Sequence, residues 1–77
     1  MITKTIHLAS VERVKEFTAA MGEFDFEVDL TCGRYTVNGK SIMGIFSLDL
    51  SQGITVKAEV PEDQVERFSQ VLQLFAL

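Results

Sequence analysis

Apolar side chains recur at every second position along Phe24, Phe26, Val28, Leu30 and Cys32, and Asp25, Glu27, Asp29 and Thr31 fill the places between them. Side chains of a strand point alternately to its two faces, so this pattern predicts a strand over residues 24–32 that buries one face and wets the other. A sheet built on such a strand needs cover on one side only, which confines the chain to a two-layer arrangement. Gly33 and Arg34 follow as a glycine-first pair suited to a type II′ hairpin turn, because glycine takes a positive φ at no steric cost. Tyr35 to Val37 then return antiparallel. Ile54, Val56, Ala58 and Val60 alternate with Thr55, Lys57 and Glu59, and Ile6 and Leu8 flank His7 in the same way. Four strands are expected.

Between the first two strands the period becomes that of a helix, with Val11, Val14, Phe17, Thr18 and Met21 on one face. Ser10 stands before this helix as an N-cap, and Gly22 is expected to end it at C′. After Pro61, which suits a first helical turn, Val65, Phe68, Val71, Leu72 and Phe75 mark another helical face, and Glu62 and Asp63 complement the positive end of its dipole. Residues 41–47 predict a short helix capped by Ser41. The order is β-α-β-β-α-β-α, an α+β open-faced sandwich in which three helices cover one face of a four-stranded antiparallel sheet. One domain is expected to take up residues 1–77, with no linker, repeat or low-complexity segment.

Composition narrows the function. Seventy-seven residues, 47% hydrophobic and 23% charged, suffice for one core and not for two. Seven basic against eleven acidic residues give a net charge of −4, the wrong sign for a domain whose main partner is a phosphate backbone, so nucleic-acid binding is not expected. The lone Cys32 cannot form an internal disulfide, and the cytoplasm is the expected compartment. No apolar run reaches the ~18 residues of a membrane span, and the first residues lack the apolar stretch of a signal peptide. There is no nucleophile with a base at recognisable spacing, no phosphate-cradling glycine loop and no Cys/His ligand set. An independent enzyme, a cofactor and a metal are therefore not expected.

Lys40, Ser41, Ile42, Met43 and Gly44, continued by Ile45, Phe46, Ser47 and Leu48, are similar to the regulatory-serine motif of the HPr family. These are the small phosphocarrier proteins of the bacterial phosphoenolpyruvate-dependent sugar phosphotransferase system. Phe24 to Leu30 and Thr36 to Asn38 keep the family's spacing to that motif without a gap, and the resemblance extends over essentially the whole chain. It implies the same element order. The family carries its phosphoryl group on a histidine at the start of the first helix, in a pattern like Gly-Ile-His-Ala-Arg-Pro-Ala. Counted back from Phe24 without gaps, Ser10 stands at the histidine position, Glu12 at the arginine position and Arg13 at the proline position, after a shortened loop. A phosphoimidazole passes its phosphate on, whereas a serine phosphate is a stable ester. Glu12 also sets a negative charge where the family offers the phosphate a cation. The resemblance thus implies a divergent member without a catalytic residue, its carrier activity lost, similar to the catabolite-repression HPr paralogue that also lacks the histidine.

Ser41 matches the serine that HPr kinase phosphorylates with ATP in the family's Gram-positive members, whose product binds a transcriptional regulator in carbon catabolite repression. Free N–H groups at a helix start, with Lys40 adjacent, suit a phosphate. A plain N-cap worth ~1 kcal/mol accounts for a serine there equally well. Ile42, Met43, Ile45 and Phe46 cannot all face the core from so short a helix. By resemblance, Ile42 and Met43 belong to the apolar patch through which HPr docks on its partners, and Lys40 and Phe46 are grouped with them. The alternative leaves Met43 alone exposed.

His7, the single histidine, is expected on the solvent side of its strand as an ordinary surface residue, and a phosphocarrier using His7 is the remaining alternative. Ser10 reads as an N-cap and Cys32 as a small buried hydrophobe. Glu23, Asp25, Glu27 and Asp29 read as a solvated face, because side chains about 7 Å apart along a strand do not close around a cation. Leu72, Leu74, Phe75, Ala76 and Leu77 cannot all be buried by one side of a helix. The chain end either folds under the sheet or forms a self-association surface. The expected function is an HPr-like regulatory module phosphorylated at Ser41, with HPr kinase and a transcriptional regulator or phosphotransferase-system component as protein partners. The alternative is an adaptor of the same fold without phosphorylation.

Overall fold

The computed structural model describes residues 1–76. Strand β1 (Ile2–Ile6), helix α1 (Val11–Met21), strands β2 (Val28–Cys32) and β3 (Tyr35–Asn38), helix α2 (Ile42–Phe46), strand β4 (Ile54–Ala58) and helix α3 (Val65–Gln73) follow one another in the expected order. A single 3-10 turn at Glu62–Gln64 leads into α3. The sheet order is β1-β4-β2-β3 with every neighbouring pair antiparallel.

Alternation separates the two faces of this sheet. Val28, Leu30, Ile54 and Val56 are fully buried and share one cluster with Val14, Phe17 and Met21 of α1 and Phe68 and Leu72 of α3. The other face is a field of threonine. Thr5, Thr55, Thr31 and Thr36 stand opposite one another in a row across all four strands, and Thr3, Lys57, Asp29 and Asn38 form the row beside it. Five of the six threonines in the chain lie there. A β-branched side chain with a hydroxyl keeps strand conformation while staying solvated, so the wet face needs no cover. At the sheet edge Lys4 occupies a core-side position opposite Val56, lays its stem along the apolar layer and donates from Nζ to Gln73 Oε1 at 2.9 Å.

Strand limits depart from the alternation, and the register explains why. The strand expected from residue 24 begins only at Val28, which pairs with Ala58, the last residue of β4, while Asp29 pairs with Asn38, the last of β3. Residues 24–27 therefore have no strand beside them. Phe24 and Phe26 still turn inward, because both rings meet Phe68 with centroids 5.2 Å apart. The first strand likewise lies at Ile2–Ile6 and not around His7, although Leu8 beyond its end is fully buried.

The turn chemistry is local. Gly33 has φ 61° between the paired residues Cys32 and Tyr35, and among the described residues no side-chain-bearing residue has a positive φ, as a two-residue hairpin opened by glycine requires. Gly22 ends α1 in the right-handed region and not at a left-handed C′ position; the turn tightens instead, with the Glu23 and Phe24 N–H groups bonding the Ala20 and Met21 carbonyls. At the far end Leu72 and Phe75 enter the core, Phe75 lying edge-to-face against Phe17 at 5.2 Å, while Leu74 is 72% exposed. Leu77 falls outside the described residues.

Two predictions follow from packing and from charge. In α3, Phe68→Ala empties a fully buried site and is expected to cost about 3–5 kcal/mol, whereas Val65→Ala on the exposed first turn should stay within about 0.5 kcal/mol, both read from urea unfolding. In the connection before β4, Asp49 Oδ1 accepts from the Ser51 hydroxyl at 2.6 Å and the Ser51 N–H at 3.1 Å, and Oδ2 from Gln52 Nε2 at 3.0 Å. These bonds, the Ser51 hydroxyl first, hold the carboxyl below the ordinary aspartate value. A lowered folded-state value makes the contribution full above the unfolded value of about 3.9, to be lost as pH falls through the lower folded one. The Ser51 amide shift should titrate below that unfolded value, and Asp49→Asn should flatten the titration.

Candidate functional site

The connection from β3 to α2 is pinned at each residue. The Gly39 N–H donates to the Val28 carbonyl at 2.7 Å, the Lys40 N–H to Asn38 Oδ1 at 2.8 Å and the Ser41 N–H to the Asn38 carbonyl at 3.0 Å. Gly39 is buried so closely that a Cβ would lie 3.0 Å from Val28 Cγ1 and 3.1 Å from the Val28 carbonyl oxygen. Glycine is needed there for the approach to β2. Ser41 emerges exposed at the start of α2, with Oγ accepting the Gly44 N–H at 3.2 Å.

Helix α2 divides its apolar residues. Ile45 is fully buried, Ile42 half-buried, Met43 78% exposed and Phe46 39% exposed. Gly44 lets the helix sit against β3, since a Cβ there would come within 3.3 Å of both Val37 Cβ and Ser41 Oγ. Lys40 does not stand free beside Ser41. Its Nζ donates to the Phe24 carbonyl at 2.6 Å, on the segment between α1 and β2.

A second cluster forms at the start of α1. Ser10 is exposed and caps the helix, its Oγ accepting the Arg13 N–H at 3.1 Å, and Glu12 is exposed beside it. Arg13 turns back from the helix. Its Nε donates to the His7 carbonyl at 3.1 Å and Nη2 to the Leu74 carbonyl at 3.5 Å, while the guanidinium lies 5.3 Å from the centre of the Phe75 ring. The His7 N–H donates to the Phe75 carbonyl at 2.8 Å, and the His7 side chain is exposed. The β1–α1 loop and the chain end are thus fastened together. Sequence reasoning missed this role of Arg13 because its acceptors are backbone carbonyls 6 and 61 positions away, which no residue pattern marks. One local signal was present: a cation in the first turn opposes the helix dipole unless something else holds it.

Cys32 is a free, buried thiol whose Sγ lies 3.9 Å from the Asp49 carbonyl. Glu23, Asp25, Glu27 and Asp29 are all exposed, and no group of metal-ligand side chains comes together among the described residues. An open cleft of about 330 Å³ is lined by the apolar Met1, Phe26 and Ala58 and the charged Glu27, Asp29, Lys57 and Glu59; neither Ser10 nor Ser41 lines it. No helix among the described residues is long and apolar enough to cross a membrane.

An antiparallel sheet covered on one face by three helices, two of them capped by serines, defines a small open-faced sandwich. The family model of the HPr component of the phosphotransferase system, described by its phosphorylation site, matches residues 12–76, and the chain belongs to this family. Its members are phosphocarriers, not enzymes in the strict sense, and interact with other proteins of that system. The match begins after His7 and Ser10. Among solved structures, HPr-C-His from Thermoanaerobacter tengcongensis is similar with a TM-score of 0.75 and 24% identity, over 95% of this chain and 92% of that one. Phosphocarrier protein HPr from Bacillus anthracis str. Ames gives a TM-score of 0.74 and 22% identity, over 99% of this chain and 96% of that one. Both likenesses establish the shared fold. No curated protein matches the chain.

The Arg13 fastening generates a test. Arg13→Ala gives up at least two bonds from a charged donor and a ring contact, and is expected to cost about 1–3 kcal/mol in urea unfolding. Amide exchange at His7, whose N–H is bonded to Phe75, should accelerate selectively. An unchanged His7 amide would mean that the loop and chain end hold together without the guanidinium.

Proposed function

We propose that this HPr-family chain is a non-carrier regulatory binding module of the cytoplasm, switched by phosphorylation of Ser41 and docking on protein partners through Ile42, Met43 and Phe46. The observation that supports it best is the sharing of one five-residue helix by an exposed capping hydroxyl and by the exposed side chains of Met43 and Phe46. A phosphate on Ser41 adds about −1.5 to −2 charges at the margin of that apolar surface. It would exclude partners that bring a carboxylate there and favour those that bring arginine. HPr kinase is the modifying enzyme in this reading, and a transcriptional regulator or another component of the phosphotransferase system is the reader. Among the described residues near the chain end, Leu74 is an exposed apolar side chain available for self-association.

The loss of carrier activity is argued from chemistry at α1. In the gap-free count Ser10 stands where the family's histidine belongs, and a serine ester does not pass its phosphate on. Glu12 offers repulsion to an anion at this helix start, and the Arg13 guanidinium is engaged with the His7 and Leu74 carbonyls. One observation favours the adaptor reading: the Lys40 ammonium is committed to the Phe24 carbonyl, so the unmodified protein holds no free lysine ready beside Ser41.

Incubation with HPr kinase and ATP followed by intact-mass analysis decides between these readings. One acid-stable phosphate located on Ser41 is expected, and none on Ser41→Ala, which should stay folded after losing about 1 kcal/mol of capping. No phosphate, with a control HPr modified in the same tube, would leave the adaptor. Acid-labile phosphate acquired from phosphoenolpyruvate and the system's first enzyme would overturn the non-carrier reading and bring His7 forward.

A further inference from the structure

The residue beside Ser41 is tied to a segment with little else to hold it. Residues 24–27 precede the first paired residue of β2 and have no strand on either side. What fixes them is a bond from the Phe24 N–H to the Met21 carbonyl at the end of α1, the rings of Phe24, Phe26 and Phe68 in mutual contact, the Arg67 guanidinium 5.1 Å from the centre of the Phe24 ring, and the bond from Lys40 Nζ to the Phe24 carbonyl. Lys40 therefore joins the loop that presents Ser41 to the end of α1 and, through Phe68, to α3. A segment with so few backbone bonds belongs to the easily opened part of a fold, where the loss of one bond is felt.

A lysine ammonium is a compact charge on a flexible stem, free to change partners. At present its partner is a neutral carbonyl. Unmodified Ser41 does not compete, because its hydroxyl is uncharged and already accepts the Gly44 N–H. A phosphate dianion on the adjacent residue does compete, since a bond between two ions is stronger than one between an ion and a neutral oxygen. Resting on the reading of Ser41 as the phosphorylated residue, we propose that Lys40 transmits its state: phosphate on Ser41 draws the Lys40 ammonium off the Phe24 carbonyl and loosens residues 24–27. The change reaches a second surface. Phe26 and Glu27 line the open cleft beside β2 and β4, so a charge placed on α2 alters a face to which Ser41 does not contribute.

The test uses the full chain with phosphoserine incorporated at position 41 during translation, so that its outcome depends on no kinase. The carbonyl ¹³C shift of Phe24 and the exchange rate of its amide are measured in four proteins: unmodified, phosphorylated, Lys40→Met, and Lys40→Met phosphorylated. The phosphate and Lys40→Met are each expected to move the Phe24 carbonyl in the same direction and to speed its amide exchange about threefold or more relative to β4 amides. With methionine at position 40 the phosphate should add nothing, the non-additivity that marks a shared contact. Shifts confined to residues 40–47, or a phosphate effect on Phe24 that persists in Lys40→Met, would overturn the coupling. Should Lys40→Met fail to fold, the wild-type pair decides alone, and an unmoved Phe24 carbonyl overturns the proposal. A kinase that leaves Ser41 unmodified would defeat the reading of Ser41 while leaving this coupling intact.

Discussion

A sheet that is dry on one face and wet on the other sets the position of everything else. With β4 and β2 in the middle, the core rests on Ile54, Val56, Val28 and Leu30, and all three helices must lie on their side. The chain has to climb from the sheet to the helical layer after β1, after β3 and again after β4. Each climb ends in a helix whose first N–H groups need an acceptor. At the first two a serine accepts from the first turn of the helix, Ser10 from Arg13 and Ser41 from Gly44, while α3 starts through the 3-10 turn at Glu62–Gln64 with no side-chain cap. The two exposed hydroxyls therefore sit where one-sided burial forces helices to begin.

The same constraint explains what could be read from the residues alone. Alternation and helical spacing report which side chains are dry, so the element order, the buried faces of α1 and α3 apart from their exposed first residues Val11 and Val65, and most of the core were legible. They do not report whether a hydrogen-bonding neighbour exists. Phe24 and Phe26 carry the same period as β2 and lie outside it, because the neighbouring strands end at Ala58 and Asn38. Leu8 is buried past the end of β1 for the same reason, as a packing residue without a partner strand. Serine caps were legible because their partners lie three residues away. Arg13 and Lys40 were not, since Arg13 reaches carbonyls 6 and 61 positions off and Lys40 one 16 positions off, and no local rule connects them.

Those two cations share one physical role. Helices and strands leave carbonyls unpaired where they end, and a small chain without a disulfide has few ways to tie such ends together. Arg13 takes the carbonyl of His7 just past β1 and that of Leu74 just past α3; Lys40 takes that of Phe24 just past α1. In each case a side chain closes a junction that regular structure leaves open, and among the described residues no buried side-chain polar atom is left unsatisfied. The charge is consumed in holding the fold. An anion arriving at either serine competes with a carbonyl for the neighbouring cation.

That competition differs between the two serines. Releasing Arg13 gives up at least two carbonyl bonds and the face of Phe75, and it detaches the chain end from the loop before α1. Releasing Lys40 gives up the Phe24 carbonyl, while Gly39, Asn38 and Ser41 keep the rest of their loop pinned to β2 and β3. Glu12 adds repulsion at the first position, and α2 contains no acidic side chain to do the same at the second. Of two serines that each cap a helix through Oγ, Ser41 is the one beside which the cation holds fewer partners and the helix carries no acid, which favours it for the proposed phosphorylation. The preference comes from the carbonyls that the two cations already hold, a difference that the local sequence around the caps does not express.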